Sequence, residues 1–192
     1  MKSRLFFFFT LAAFGLFSAI TGCANMPKKP AYSVDIPQGW RKVDTTKYLM
    51  ITRNGPFVQY AFVQQRPLDK PFVHTQKRLR PDMLPQEAAE IIVDELSSDR
   101  NINNFNLLEN RPAKVDAHNG FKLIYAYQNS EGVPHKTVYY GLIDGEAFYN
   151  LRFNAPQKYF SAADLATFEE FRKSFKLNGS ESIDYVRSSL DD

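Results

Sequence analysis

Val138-Tyr139-Tyr140-Gly141-Leu142-Ile143-Asp144-Gly145-Glu146-Ala147-Phe148-Tyr149-Asn150-Leu151 reads as two strands folded back on a tight turn. Asp-Gly is a dipeptide that two-residue hairpin loops favour because it tolerates positive φ, so Ile143 and Glu146 are predicted to face each other across Asp144-Gly145. The register that follows pairs Leu142 with Ala147, Tyr140 with Tyr149 and Val138 with Leu151 on one face. On the other it pairs Gly141 with Phe148, Tyr139 with Asn150 and Thr137 with Arg152, since directly opposed residues share a face. The first set is predicted to be core. In the second, Tyr139, Asn150 and Arg152 form the candidate partner-binding face, because Tyr and Arg are the residues that anchor interfaces. A competing reading buries that face beneath the last helix, with Phe148 against Phe168 and Phe171.

Working outward, Pro134 to Ile143, Phe121 to Gln128 and Phe105 to Val115 read as successive strands. Asp116 to Gly120 is the loop between the first two in the chain, and a segment holding Gly132 joins the next pair. Bulky apolar residues fall on both alternations of Phe121 to Gln128, as in a strand covered on both sides. Pro85, Glu87 and the spacing of Ala88, Ala89, Ile92, Val93 and Leu96 predict a helix with one apolar face. A second helix is predicted from Ser161, its N-cap, to Phe175, with Leu165, Phe168, Phe171 and Phe175 along one stripe. Tyr32, Val34 and Ile36 alternate with polar residues as a first strand, ended by Pro37-Gln38-Gly39. Tyr48 to Arg53 and Phe57 to Gln65 form a pair around Asn54-Gly55-Pro56. Arg66 to Leu84, broken by Pro67, Pro71 and Pro81, is predicted to be an excursion with a short helical piece.

The start of the chain is different in kind. Lys2 and Arg4 precede the uncharged run Leu5 to Ile20, which is the order of a cleaved export signal. As a helix that run spans about 24 Å, short of the roughly 30 Å hydrocarbon core. Its end, Ile20-Thr21-Gly22-Cys23, resembles the bacterial lipobox, which implies cleavage between Gly22 and Cys23 and lipid on the Cys23 thiol. Cys23 is the only cysteine among the 192 residues, so an intramolecular disulfide is impossible and lipidation explains an otherwise unpaired exported thiol. Ala24 replaces the aspartate that retains many such proteins at the inner membrane, so the sorting rule implies the outer membrane in a cell that has one. The predicted organisation is a signal at 1–22, a lipidated N-terminus and tether at 23–31, one domain at 32–177 and a tail at 178–192.

The formal net charge of +3 drops to about +1 with the loss of Lys2 and Arg4, which argues against nucleic acid as a partner. Of the 17 Phe and 10 Tyr, several Phe belong to the predicted signal, and the rest suit an aromatic-rich, strand-leaning body. His74, His118 and His135 lack metal-ligand spacing, and the chain has no nucleophile elbow or phosphate loop. No catalytic residue, metal or cofactor is therefore assigned. Lys77, Arg78 and Arg80 form a basic cluster that a short tether would bring near anionic headgroups, or a solvated loop.

Tyr32-Ser33-Val34-Asp35-Ile36-Pro37-Gln38-Gly39-Trp40, the long antiparallel strands, and Phe168-Glu169-Glu170-Phe171-Arg172-Lys173-Ser174-Phe175 together resemble the PsbP fold, that of the photosystem II extrinsic protein and of a Ran-binding nuclear import factor. The resemblance spans Tyr32 to Leu177 and implies an α+β domain, an α/β/α sandwich with a central antiparallel sheet flanked by helices on both sides. It carries over no functional residue. The expected function is a lipid-anchored, non-catalytic binding or accessory protein that reaches the membrane through Cys23 and docks to an envelope protein. The alternatives are a carrier of a lipid or other apolar ligand and, further off, a hydrolase whose site the sequence does not display.

Overall fold

The computed structural model, which describes residues 30–178, takes the four longest strands of its main sheet from residue 103 onward and three shorter ones from before residue 68. The predicted signal, Cys23, nearly all of the tether and all but the first residue of the tail lie outside the described residues. The elements are β1 (Tyr32–Ser33), β2 (Arg41–Val43), β3 (Leu49–Thr52), β4 (Tyr60–Pro67), α1 (Pro85–Ser97), β5 (Asn103–Val115), β6 (His118–Gln128), β7 (Pro134–Asp144), β8 (Ala147–Pro156), α2 (Ala162–Ser174) and β9 (Lys176–Leu177). Strands β2 to β8 form one antiparallel sheet in the order β2-β3-β4-β8-β7-β6-β5, and β1 pairs with β9 separately.

Each face of the sheet carries one helix. Ser161 caps α2, its Oγ accepting from the Asp164 amide at 3.0 Å, which satisfies one of the amides that a helix start leaves without a partner. Phe168, Phe171 and Phe175 of its stripe are buried against Trp40, Tyr140, Leu151 and Phe153. At α1 the Glu87 carboxylate accepts from the Leu84 amide at 2.9 Å, and Pro85 occupies the first turn, where its missing N–H costs nothing. Ala88, Ala89, Ile92 and Leu96 bury against Phe121, Leu123, Tyr139 and Phe148 of the opposite face. The strand predicted to be covered on both sides is β6, which sends Phe121, Leu123 and Tyr125 toward α1 and Ile124 toward the α2 core.

Several expectations are corrected. The central turn is Gly145-Glu146, with Asp144 opposite Ala147, and only Gly145 has positive φ, 54°, at the first central position, where a type II′ turn places glycine. The partners therefore become Leu142 with Tyr149, Tyr140 with Leu151 and Tyr139 with Arg152. Advancing the turn by one residue moves each partner by two, so every side chain keeps its predicted face. The first strand shrinks to Tyr32–Ser33, because beyond it the chain has no strand to pair with, and Ile36 stays exposed. The loop predicted at Asp116 to Gly120 is a two-residue turn, Asp116-Ala117, since Val115 pairs with His118; Asp116 takes φ of 54°. Segment 68–84 contains no helix. Its prolines forbid a continuous backbone ladder, and it is held by burying Leu68, Phe72 and Leu79 beneath α1.

Gly141 sits where a side chain would collide: a Cβ there would lie 2.4 Å from the Phe121 ring. Its absence lets Phe121 stack between Tyr139, 5.9 Å away and inclined by 9°, and Phe148, at 6.2 Å and 15°.

Candidate functional site

Register alone brings the site together. Strand β8 pairs Phe148 with Arg66, Asn150 with Gln64 and Arg152 with Phe62 of β4, and Arg152 also faces Tyr139 of β7. Opposed residues share a face, so all of these side chains project toward the α1 side. Helix α1 lies across β5, β6 and β7, so among the described residues no helix is laid across the β4–β8 half of this face. There Tyr48, Phe62 and Tyr60 form an aromatic shelf, with ring centroids 5.4 Å and 6.0 Å apart. The Arg152 guanidinium is set between two rings, 4.9 Å from Phe62 and 4.8 Å from Tyr139, within the range of cation–π attraction.

Next to the shelf, Gln64, Arg66, Phe72, Tyr139, Asn150 and Arg152 line a cleft of about 280 Å³ beneath the Pro71–His74 loop and the end of α1. Arg152 Nε donates to Asn150 Oδ1 at 3.1 Å, and Asn150 Nδ2 donates to Gln64 Oε1 at 3.3 Å. Burial pushes the phenols of Tyr139 and Tyr125 above their ordinary range and so keeps them neutral. For Arg152 burial acts in the opposite direction, but the oxygens of Tyr139, Tyr125 and Tyr60 outweigh it and hold the guanidinium firmly charged. The Arg66 guanidinium lies 3.7 Å from the centre of the Phe72 ring, and its Nη2 donates to the carbonyls of Lys70 and Pro71 at 2.6 and 3.3 Å. Beyond Arg152 the polar strip continues: Asn154 donates to Tyr127 at 3.0 Å and to Thr137 at 2.7 Å, and its carbonyl meets His135 Nδ1 at 3.0 Å.

The three residues predicted as a partner face do come together, but not as an exposed patch. Tyr139 and Asn150 are each 1% exposed, and only Arg152 reaches partly to solvent. Nor does the last helix cover them, as the competing reading held. Chain direction sends α2 to the other face, where Phe168 meets Tyr140 at 6.2 Å; Phe148 packs with α1 and segment 68–84 instead. Tyr60, Phe62, Gln64 and Arg66 were missed. Tyr60, Phe62 and Gln64 alternate in the predicted strand, but a period-2 pattern does not say which strand lies alongside; Arg66, predicted to open the excursion, lies in β4, which runs on to Pro67.

The other candidates are occupied elsewhere. His74 lies 3.6 Å from Asp99 and His118 3.5 Å from Asp144. Among the described residues no group of three or more His, Cys, Asp or Glu is placed to hold a metal. Of the basic cluster, Lys77 pairs with Asp94 and Arg80 with Asp82, while Arg78 is exposed. Among the described residues no helix is long and apolar enough to cross a membrane.

The roof of the cleft is latched by Glu95, whose carboxylate accepts from the amides of His74 and Thr75 and from the Thr75 hydroxyl at 2.9–3.2 Å. Burial by itself would raise its pKa, but these donors together hold it below the ordinary glutamate value. A depressed carboxylate stabilises the fold above its unfolded pKa, and that contribution is lost as pH falls through the folded value. Glu95→Gln should therefore cost about 1 kcal/mol at neutral pH, the low end for hydrogen bonds to a charged group because this one is partly solvated. The gap between wild type and variant in denaturant melts should close in acid; a gap independent of pH would remove Glu95 as the latch.

No family model matches the chain, and no curated protein sequence matches it. Solved structures do. LpqN of Mycobacterium tuberculosis superposes with a TM-score of 0.53 at 14% identity, over 80% of this chain and 87% of that one. The cyanobacterial PsbP of Synechocystis sp. PCC 6803 gives 0.53 at 11%, over 77% and 86%. The fold is PsbP-like. A Bacteroides thetaiotaomicron structure matches at 0.50 and 11% identity over 79% of this chain, which spans 47% of its length. At these identities the likeness extends to the PsbP-like architecture of sheet and flanking helices; the shelf and the cleft rest on this chain's own residues.

Proposed function

We propose that this protein is a lipid-anchored, non-catalytic accessory protein of the cell envelope that docks another envelope protein through the β4–β8 half of its sheet. The observation that carries the docking reading is Arg152, held between Phe62 and Tyr139 beside the end of α1, on the β4–β8 half of the face, across which no helix of the described residues is laid. A partly desolvated arginine among aromatic rings is the composition of an interface hot spot. The envelope setting is supported by the charged start, the apolar run and Ile20-Thr21-Gly22-Cys23, and by the likeness to LpqN, described as involved in cell envelope biogenesis. Two or more acyl chains on Cys23 provide stable anchoring, since each buried methylene contributes about 0.8 kcal/mol. By the sorting rule, Ala24 favours the outer membrane in a cell that has one. A carrier of lipid is less well supported: a cleft of about 280 Å³ is small beside usual ligand pockets, and its floor carries two arginines.

Fatty-acid labelling of cells should mark the wild type and leave Cys23→Ser unlabelled; equal labelling of both would reject the anchor. For docking, a photo-crosslinking residue at Phe62 should give a discrete adduct in intact cells, and the same residue at exposed Lys173 on the α2 side should not. Equal capture from both positions, or none from position 62, would reject this face.

A further inference from the structure

Among the described residues Arg66, Arg152 and Arg172 are the arginines withdrawn in part from solvent. Arg172 has a carboxylate partner, with its Nε 2.8 Å from Glu169. Arg66 and Arg152 have none within 4.0 Å among those residues. A guanidinium taken from water is ordinarily paired, because an unpaired charge in a low-dielectric site is costly. Two such groups line one cleft, and the Arg152 guanidinium also lies 4.8 Å from the centre of the Tyr139 ring.

The acidic groups in the cleft wall, Glu95 and Asp99, form no ion pair with either arginine, although the Glu95 charge acts on Arg66 from a distance. Glu95 is committed to His74 and Thr75. Asp99 accepts from the backbone and side-chain nitrogens of Asn101 at 2.9 and 3.0 Å and faces His74. Arg66 spends Nη2 on two carbonyls, and Arg152 spends Nε on Asn150 and also donates to the hydroxyls of Tyr139 and Tyr125, which does not exhaust the five N–H donors of a guanidinium. The remaining nitrogens offer the geometry in which guanidinium groups take up carboxylate or phosphate oxygens.

We infer that the cleft is a binding site for an oxyanion, a carboxylate or phosphate group on a small ligand, held by Arg152 from the sheet and Arg66 from its edge. Phe72 and Tyr139 wall the site, and Asn150 orients Arg152 through its amide oxygen. A volume of about 280 Å³ admits such a headgroup. The inference deepens the docking reading by naming the chemistry that the same region would take. The two fail separately, since crosslinking from Phe62 does not require a small anion and anion binding does not require a partner.

The test uses the full-length protein in neutral detergent micelles, labelled so that each arginine Nε–H gives its own NMR signal. Inorganic phosphate and succinate are titrated in turn at constant ionic strength. The Arg152 and Arg66 signals should shift and saturate with at least one of them, and the probe that saturates identifies which oxyanion the cleft prefers. Arg66→Gln, at the edge of the site, should keep the fold and weaken binding about tenfold or more, as the loss of one charge-assisted donor does. Arg152→Gln should do the same, read on the Arg66 signal. Shifts that grow linearly with both anions, or an affinity unchanged in Arg66→Gln, would overturn the inference.

Discussion

Phe168→Ala is expected to destabilise the domain by about 3–5 kcal/mol, the usual cost of removing a buried aromatic ring. The ring is 1% exposed and meets Phe153 at 5.7 Å, Tyr140 at 6.2 Å and Phe171 at 6.3 Å. It is the residue by which α2 is fastened to the sheet. A domain typically has about 5–15 kcal/mol of stability in all, so the variant should melt far earlier in urea, with the slope of the transition kept. Leu165→Ala, on the same stripe but only half-buried, should cost clearly less. Equal losses at the two positions would show that α2 is held by its general apolar face rather than by this ring.

Tyr139→Ala should be comparably damaging, about 3–5 kcal/mol, although Tyr139 belongs to the proposed site. The ring stacks on Phe121 and the residue is 1% exposed, so its truncation opens the α1 core and the cleft together. Tyr139→Phe separates the two roles. It keeps the stack and removes only the hydroxyl that is hydrogen-bonded to Arg152, so it should cost about 1–2 kcal/mol, mainly for the lost polar partner. Binding of phosphate or succinate in the cleft should weaken in this variant even where the protein is fully folded. If alanine costs no more than phenylalanine, the ring is not part of the core and the assignment of Tyr139 to the α1 face is wrong.

Legibility varied by element for physical reasons. The helices were read from spacing and caps, because a 3.6-residue period and a Ser161 or Pro85 at the start are local properties. The β3–β4 pair and the four long strands were read from alternation, with ends displaced by a few residues. The central hairpin was predicted with the wrong turn residues and the right faces, since its error preserved parity. The β1–β9 pair was not legible: two residues against two, from opposite ends of the domain, leave no period to detect. Nor was β2, three residues long. Segment 68–84 showed its prolines but not its anchors, because Leu68, Phe72 and Leu79 have no regular spacing.

By itself the sequence determined the α+β class, the two helices, the long antiparallel strands and the division of β7 and β8 into their two faces. It also carries the charged start, the apolar run and Ile20-Thr21-Gly22-Cys23 on which the proposed export and lipidation rest, a matter of chain order that needs no fold. Only the tertiary structure decided which helix covers which face, and that β4, distant in the chain, lies against β8. Those decisions turn Arg152 from a residue on an outward face into the floor of a cleft, and set Arg66, Gln64 and Phe62 beside it. Alternation specifies a face but not a neighbour, and both faces of this sheet carry bulky apolar side chains. The choice between neighbours is made by the packing of distant segments, a collective free energy that no single stretch contains.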